Sequence, residues 1–172
     1  MNRLFMVALF LAFSYTGYTQ NIKTQVLVVG ETDAAVAAAL QAAVSGVKTT
    51  LLSKKGEFTI KATGKNAASG IEAELIQRAR AFMGIKDSVT AVELTPMLTS
   101  QVLKTWMDST KNLTVIQNAT WTRFERSGMG WQARLADGKN IKANVLVYGI
   151  NEDISTEIKF APTSVSVPFD YN

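Results

Sequence analysis

A strand, a helix and a second strand follow one another near the start of this chain, and this succession constrains the fold more than any other feature. Thr24–Gly30 reads TQVLVVG, a run rich in β-branched residues that is typical of a parallel strand buried on both faces. Thr32 or Asp33 can cap the alanine-rich helix that follows, and Gly46 stands where that helix should end. Val47–Ser53 is a second apolar strand, so the sequence predicts a βαβ unit with a right-handed crossover.

Two further helices are expected before the chain changes to strand periodicity. Lys54–Gly70 is polar and predicts a loop, and the helical pattern that follows over Ile71–Met83 ends at Gly84. The next helix begins at Thr95, with Pro96 in the first helical position. The apolar faces predicted for these helices are Ile71, Leu75, Ile76, Ala79 and Phe82 in the first, and Leu98, Val102, Leu103 and Trp106 in the second.

Short strands dominate the rest of the chain. A hairpin is predicted over Thr120–Leu135, and Asp137-Gly138 is a further turn signal. Buried parallel strands read as continuous apolar runs, so four segments are expected in one largely parallel sheet. These are Thr24–Gly30, Val47–Ser53, Leu113–Gln117 and Val145–Ile150. The predicted fold class is α/β: a Rossmann-like βαβ three-layer domain with a parallel central sheet and an antiparallel β-meander outside or across it.

The first residues of the chain have the pattern of an export signal. A short positive start precedes the apolar run Leu4–Phe13, whose length of about ten residues suits a signal peptide and is too short to span a bilayer. Small residues at Gly17 and Thr19 indicate cleavage after Thr19. We therefore expect a signal peptide at 1–19 and a single domain at 20–172, periplasmic or secreted and without a later membrane segment. An uncleaved membrane anchor is the alternative.

The absence of two amino acids limits the catalytic and metal-binding chemistry that this chain can perform. The chain contains no His and no Cys. This excludes the commonest general base, the usual zinc ligands, disulfides and a flavin tethered through either side chain. The sequence accordingly identifies no catalytic residue and no metal site. The formal net charge is +4, with basic residues scattered singly or in pairs, which predicts ordinary solubility and no nucleic-acid partner.

Two segments, VLVVGETDAAVAAALQAAVSGVKTTLLSK and DGKNIKANVLVYGINED, resemble the FAD-dependent oxidoreductases with a glutathione-reductase-like Rossmann domain. In that family the first strand is followed by a G-x-G-x-x-G turn, and this turn begins the helix whose N-terminus binds the FAD pyrophosphate. A second strand ends in an acidic residue that binds the adenosine ribose. A later strand is followed by an Ala-Thr-Gly-like turn beside the cofactor. The resemblance covers roughly Lys23 to Asp153 and implies a truncated family domain with degenerate motifs, for which FAD is the implied cofactor.

The chain departs from the family at the positions that contact the cofactor. Gly30 matches the first glycine, whereas Thr32 stands at the second and Ala35 at the third. The second glycine lets the pyrophosphate approach the backbone, so Thr32 is the more serious change. Ser53 replaces the ribose-binding acid, and Asn151 falls near the late glycine. The implied cofactor-binding positions are Gly30, Glu31, Thr32, Asp33, Ala34, Ala35, Ser53, Lys54 and Asn151.

The negative charges at the start of the first helix are also expected to repel the phosphates of a dinucleotide. A helix N-terminus attracts phosphate, but Glu31 and Asp33 flank this one with two carboxylates. Lys54 and Lys55 can compensate, although paired lysines after a strand are typical of a solvated turn. We therefore expect FAD binding to be weak or absent.

Three functional hypotheses follow. The first is an FAD-binding redox domain that depends on a companion chain for its substrate site, since only Glu152–Asn172 remains after Asn151, too short for a second domain. The second is a non-catalytic exported module that keeps the Rossmann fold for binding or structure. A third and weaker hypothesis is a Rossmann-like domain for a smaller nucleotide.

Overall fold

The computed structural model describes residues 21–60, 70–86 and 92–150, which form two four-stranded sheets and three helices. The strands are β1 (Asn21–Lys23), β2 (Val26–Val29), β3 (Thr49–Leu52), β4 (Leu113–Ile116), β5 (Trp121–Ser127), β6 (Gly130–Leu135), β7 (Asn140–Ala143) and β8 (Val145–Tyr148). The helices are α1 (Asp33–Val44), α2 (Gly70–Phe82) and α3 (Pro96–Ser109).

The first sheet, here called the parallel sheet, has the strand order β4-β3-β2-β8. Every neighbouring pair in it is parallel, and Val28 of β2 lies between Leu51 of β3 and Val147 of β8. The central strands are almost entirely buried because they are covered on both faces, which is why they read as continuous apolar runs. The four segments predicted to share one parallel sheet do so.

The second sheet, here called the meander sheet, has the order β1-β7-β6-β5. The predicted hairpin is confirmed as the antiparallel pair β5–β6, and β7 continues the antiparallel pairing. Strand β1 was not predicted: its three residues pair in parallel with β7, with Ile22 opposite Ile141. So short a strand carries too little periodicity for detection from sequence.

Side chains of the parallel sheet point alternately into two hydrophobic clusters. Val28 and Leu51 join the helices in one cluster, which includes Leu103 and Trp106 of α3. Leu27, Val29 and Leu52 point the other way, against Phe124, Ala133 and Ile141 of the meander sheet. The parallel sheet is therefore the middle of three layers, between the helices and the meander sheet, as the fold class predicted.

The helix boundaries follow from local chemistry. Thr95 caps α3 by accepting a hydrogen bond from the Leu98 N–H at 3.3 Å, with proline next in sequence. In α2, Leu75 and Ala79 are buried as predicted, but Phe82 is 55% exposed. The prediction for Phe82 was wrong because it is the last residue of α2, beyond the turns that pack into the core.

Several expectations concern residues outside the described ranges. The signal peptide at 1–19 and Asn151 are among them, as are residues 61–69 of the predicted loop Lys54–Gly70; the part of that loop up to Ile60 contains neither helix nor strand. Within residues 21–60, 70–86 and 92–150, no helix combines the length and the apolar character needed to cross a membrane.

Candidate functional site

The carboxyl ends of β2, β3 and β8 meet at one edge of the parallel sheet. The chain leaves β2 and returns as β3 on one side, whereas β8 lies on the other side, so the strand order reverses at β2. In open parallel sheets, ligands bind outside the strand ends at such a reversal point. This edge brings together the turn from Gly30 to Ala35, the residue Ser53 after β3 and Gly149 after β8.

Two glycines allow the backbones after β2 and β8 to cross in close contact. Gly30 donates its N–H to the Leu52 carbonyl at 2.9 Å, and Gly149 donates to the Val29 carbonyl at 2.8 Å. A Cβ on Gly30, which has a φ of +133°, would lie 2.3 Å from the Gly149 carbonyl oxygen. A Cβ on Gly149 would lie 2.8 Å from the Ala35 Cβ. Neither position has room for a side chain.

Thr32 caps helix α1 with its hydroxyl group. Its backbone is extended, with φ −70° and ψ 155°, and its Oγ1 accepts a hydrogen bond from the Ala35 N–H at 3.2 Å. The same hydroxyl donates to the Gly149 carbonyl at 2.8 Å. Of the two capping residues considered, Thr32 therefore takes the role, and Asp33 lies exposed in the first helical turn with Ala34.

Glu31 places a carboxylate beside this helix start. Its side chain is 19% exposed, and its Oε1 lies 3.6 Å from the Lys55 ammonium, whose own side chain is 68% exposed. The other oxygen, Oε2, is buried and accepts no hydrogen bond from the described residues. Lys55 therefore offsets the negative charge of Glu31 only in part, and it does so as an intramolecular partner.

Ser53 directs its hydroxyl into its own turn. The residue is completely buried, and its Oγ accepts a hydrogen bond from the Lys55 N–H at 2.9 Å. Its backbone bonds to the chain after β4: Ser53 N–H donates to the Ile116 carbonyl and its carbonyl accepts from the Ala119 N–H. Ser53 therefore presents no group outward at the position where the family has an acid.

Lys54 lies over an aromatic ring of the meander sheet. Its ammonium lies 4.8 Å from the ring centroid of Trp121, a cation–π arrangement. Trp121 packs on Phe124, which in turn meets Tyr148 edge-on with ring centroids 6.0 Å apart. The two lysines after β3 thus have separate environments, Lys54 beside the aromatic cluster and Lys55 beside Glu31.

The sequence pattern predicts this turn but not the residue that contacts it. Gly30, Thr32 and Ala35 come together as expected, whereas Asn151, proposed at the late glycine, lies outside the described residues. The glycine that contacts the turn is Gly149. A glycine at the end of an apolar parallel strand was the available signal for it, since such a residue permits close backbone approach.

Two groups at this edge act against the contacts that a pyrophosphate makes at a helix start. The Thr32 hydroxyl accepts a hydrogen bond from the Ala35 N–H, a backbone group that could otherwise donate to a phosphate. The carboxylate of Glu31, the preceding residue, repels anions. Within the described ranges no group of three or more carboxylates could hold a metal ion whose positive charge would offset that repulsion.

Comparison with known proteins finds similar folds among solved structures. No protein-family model and no curated protein matches the chain. Among solved structures, p-nitrophenol 4-monooxygenase PnpA from Pseudomonas putida DLL-E4 has a TM-score of 0.55 at 11% identity, over 80% of this chain and 42% of its own. The GidA-related protein from Thermus thermophilus has a TM-score of 0.53 at 20% identity, over 74% and 52%. GidA from Aquifex aeolicus has a TM-score of 0.51 at 16% identity, over 73% and 25%.

The chain therefore spans about half, or less, of these proteins. At such low identities the likeness concerns the fold alone. That fold is the Rossmann type found in FAD/NAD(P)-binding domains.

Proposed function

We propose that this chain is the dinucleotide-binding domain of an FAD-dependent-oxidoreductase-like protein, and that its own affinity for FAD is weak or lost. The observation that carries the proposal is the Thr32 hydroxyl, which accepts from the Ala35 N–H and donates to the Gly149 carbonyl. A phosphate at a helix start takes its hydrogen bonds from such N–H groups. Here the protein supplies that acceptor itself.

The charge on Glu31 supports the same conclusion. A carboxylate at contact distance from a phosphate charge costs about 1–4 kcal/mol, depending on the local dielectric. Displacing an N-cap hydroxyl adds about 1 kcal/mol. Since about 1.4 kcal/mol corresponds to a tenfold change in affinity, these two effects weaken binding by one or more orders of magnitude. Lys55 reduces the first effect without removing it, because its ammonium is largely exposed to solvent.

The ribose contact is affected independently. A charge-assisted hydrogen bond contributes about 1.5–3 kcal/mol, and a buried serine whose hydroxyl is already bonded supplies none of it. Introducing an acid at Ser53 would place a charge at a fully buried position. The turn after β2 is therefore the better place for a gain-of-function test.

Isothermal titration of FAD and of ADP tests the proposal. We expect the double variant Glu31→Gln/Thr32→Gly to bind both ligands at least about tenfold more tightly than the native protein. The matched control is Glu93→Gln, which removes an exposed carboxylate outside the site and leaves affinity unchanged. Equal affinities of the native protein and the double variant would contradict the role given to this turn.

A second function, a non-catalytic binding or structural module, is favoured by one observation. The Thr32 hydroxyl donates to the Gly149 carbonyl and accepts from the Ala35 N–H, so the protein's own groups supply the hydrogen bonds of this turn. Thermal unfolding with and without saturating FAD, ADP or NAD separates a domain that keeps weak dinucleotide binding from such a module, because a ligand that binds only the folded state raises the melting temperature. No shift with any of the three is the result expected of a module.

A further inference from the structure

The excess positive charge of the chain is concentrated on the meander sheet. Residues 21–23 and 121–143 contain six basic and two acidic side chains, a net charge of +4 that equals the formal net charge of the whole chain. The basic residues are Lys23, Arg123, Arg126, Arg134, Lys139 and Lys142, and the acidic ones are Glu125 and Asp137. Seven of these eight residues lie between positions 121 and 143, and strand pairing brings the remote Lys23 next to them.

The strand register places like charges directly opposite each other. Lys23 of β1 pairs with Lys142 of β7, and Arg123 of β5 pairs with Arg134 of β6. All four side chains are exposed, because the alternate residues of these strands point into the core. We call the solvent-facing side formed by these four residues the basic face. Like charges in directly opposed positions destabilise a sheet.

Carboxylates neutralise only one end of the basic face. Glu125 lies 2.6 Å from the Arg123 guanidinium and 3.4 Å from that of Arg134. Within the described ranges, neither Lys23 nor Lys142 has an ion-pair partner. An anionic group placed between these two lysines would relieve their repulsion.

An apolar groove adjoins the lysine end of the basic face. It has a volume of about 540 Å³ and lies between the tip of the β5–β6 hairpin and the ends of β1 and β7. Its lining includes Lys23, Lys142, Trp131 and Met129, and contains no carboxylate. Met129 is 98% exposed, and the Arg126 guanidinium lies 4.5 Å from the Trp131 ring centroid.

We propose that the basic face docks an acidic surface of another protein, which places an apolar side chain in the groove beside Met129 and Trp131. Charge complementarity and residue type favour this occupant. Trp, Met and Arg are enriched in protein interfaces, and here Trp131 and Met129 line a groove with two lysines that have no ion-pair partner among the described residues, while Arg126 lies over Trp131. The groove supplies the pocket that a central anchor residue requires. This inference does not depend on the fate of the dinucleotide site.

A short labelled peptide rich in Glu and Asp, with one central Phe, is the probe for a binding titration by fluorescence anisotropy. The native full chain should bind it, with affinity that falls as salt is raised. The double variant Lys23→Glu/Lys142→Glu should bind at least about tenfold more weakly. The control Lys86→Glu/Lys111→Glu changes the net charge equally at exposed positions away from the meander sheet, and should lose less than about threefold. Melting curves of all variants establish that they fold.

Other occupants give other results. Absence of peptide binding, or equal losses in the two variants, would overturn the proposal. Tighter binding to a single-stranded DNA oligonucleotide or to vesicles containing anionic lipid would assign the basic face to those partners instead. Peptide binding that emerges only when Glu152, Asp153 and Glu157 are replaced by their amides would overturn it too, because the chain's own acidic segment would then be the occupant.

Discussion

Gly30 and Gly149 bring two backbone segments closer together than any side chain permits. Each would direct a Cβ into the other segment, at 2.3 Å from the Gly149 oxygen in one case and 2.8 Å from the Ala35 Cβ in the other. Thr32 then joins the same segments through its hydroxyl. The architecture of the candidate site thus depends on residues whose main contacts are with the protein itself.

The first prediction tests this contact. Gly149→Ala should lower the free energy of unfolding by about 1–3 kcal/mol, since it overpacks the crossing against Ala35. Ala35→Gly, combined with it, should restore part of that loss. Urea unfolding of both single variants and the double variant gives the interaction energy, which we expect between about 0.5 and 3 kcal/mol. Strict additivity would show that the two residues do not meet in the folded protein.

A second prediction concerns Asp137, in the turn between β6 and β7. The Lys139 ammonium donates to its carboxylate at 2.7 Å, and the Lys139 N–H donates at 3.0 Å, so the pKa of Asp137 lies below its ordinary value. A lowered pKa stabilises the folded state above the unfolded-state pKa, and this contribution is lost as pH falls through the folded-state value. NMR titration should show the pKa returning toward normal in Lys139→Ala, and no change in Lys111→Ala. An unchanged pKa in Lys139→Ala would contradict the assignment.

Strand pairing decides which surface features arise from scattered residues. Periodicity predicted most elements, because buried parallel strands and amphipathic helices have distinct sequence patterns. Register between distant strands has no such local signal. The juxtaposition of Lys23 with Lys142, which lie far apart in the sequence, therefore became visible only in the structure. The same limit applies to Gly149, whose partner Thr32 is remote in sequence.

The third prediction belongs to the meander sheet. Lys142→Glu replaces a like-charge pair with an opposite-charge pair facing Lys23, so it should raise the free energy of unfolding by about 0.2–1 kcal/mol. The control Lys111→Glu, at an exposed position outside the sheets, should stay within about 0.5 kcal/mol of the native protein. A loss of stability in Lys142→Glu alone would mean that the two lysines do not repel each other in solution.

At the scale of the whole molecule, the sequence predicted the architecture better than the chemistry. The order of a βαβ unit, helices and a meander identified the three-layer fold. The motif positions did not predict that the Ser53 hydroxyl bonds within its own turn or that Lys54 lies over Trp121. The direction of a side chain after a strand depends on tertiary contacts. The described edge therefore resembles a dinucleotide site in backbone and differs from one in its polar groups.

The fourth prediction concerns export, which we propose from the apolar run Leu4–Phe13 and the small residues Gly17 and Thr19. N-terminal sequencing of protein recovered outside the cytoplasm should begin at or near Gln20. An intact Met1 terminus in the membrane fraction would contradict it and indicate an uncleaved anchor.

The most direct test of the central claim is the flavin content of the protein purified without added cofactor. Visible absorption, compared with the protein concentration, gives the molar ratio of FAD to chain. The closed turn formed by Thr32, Glu31 and Gly149 leads us to expect a colourless protein with a ratio near zero. The fifth prediction is therefore that no flavin band accompanies the folded protein. A yellow protein with one FAD per chain would contradict it, and would make this chain a functional part of an oxidoreductase.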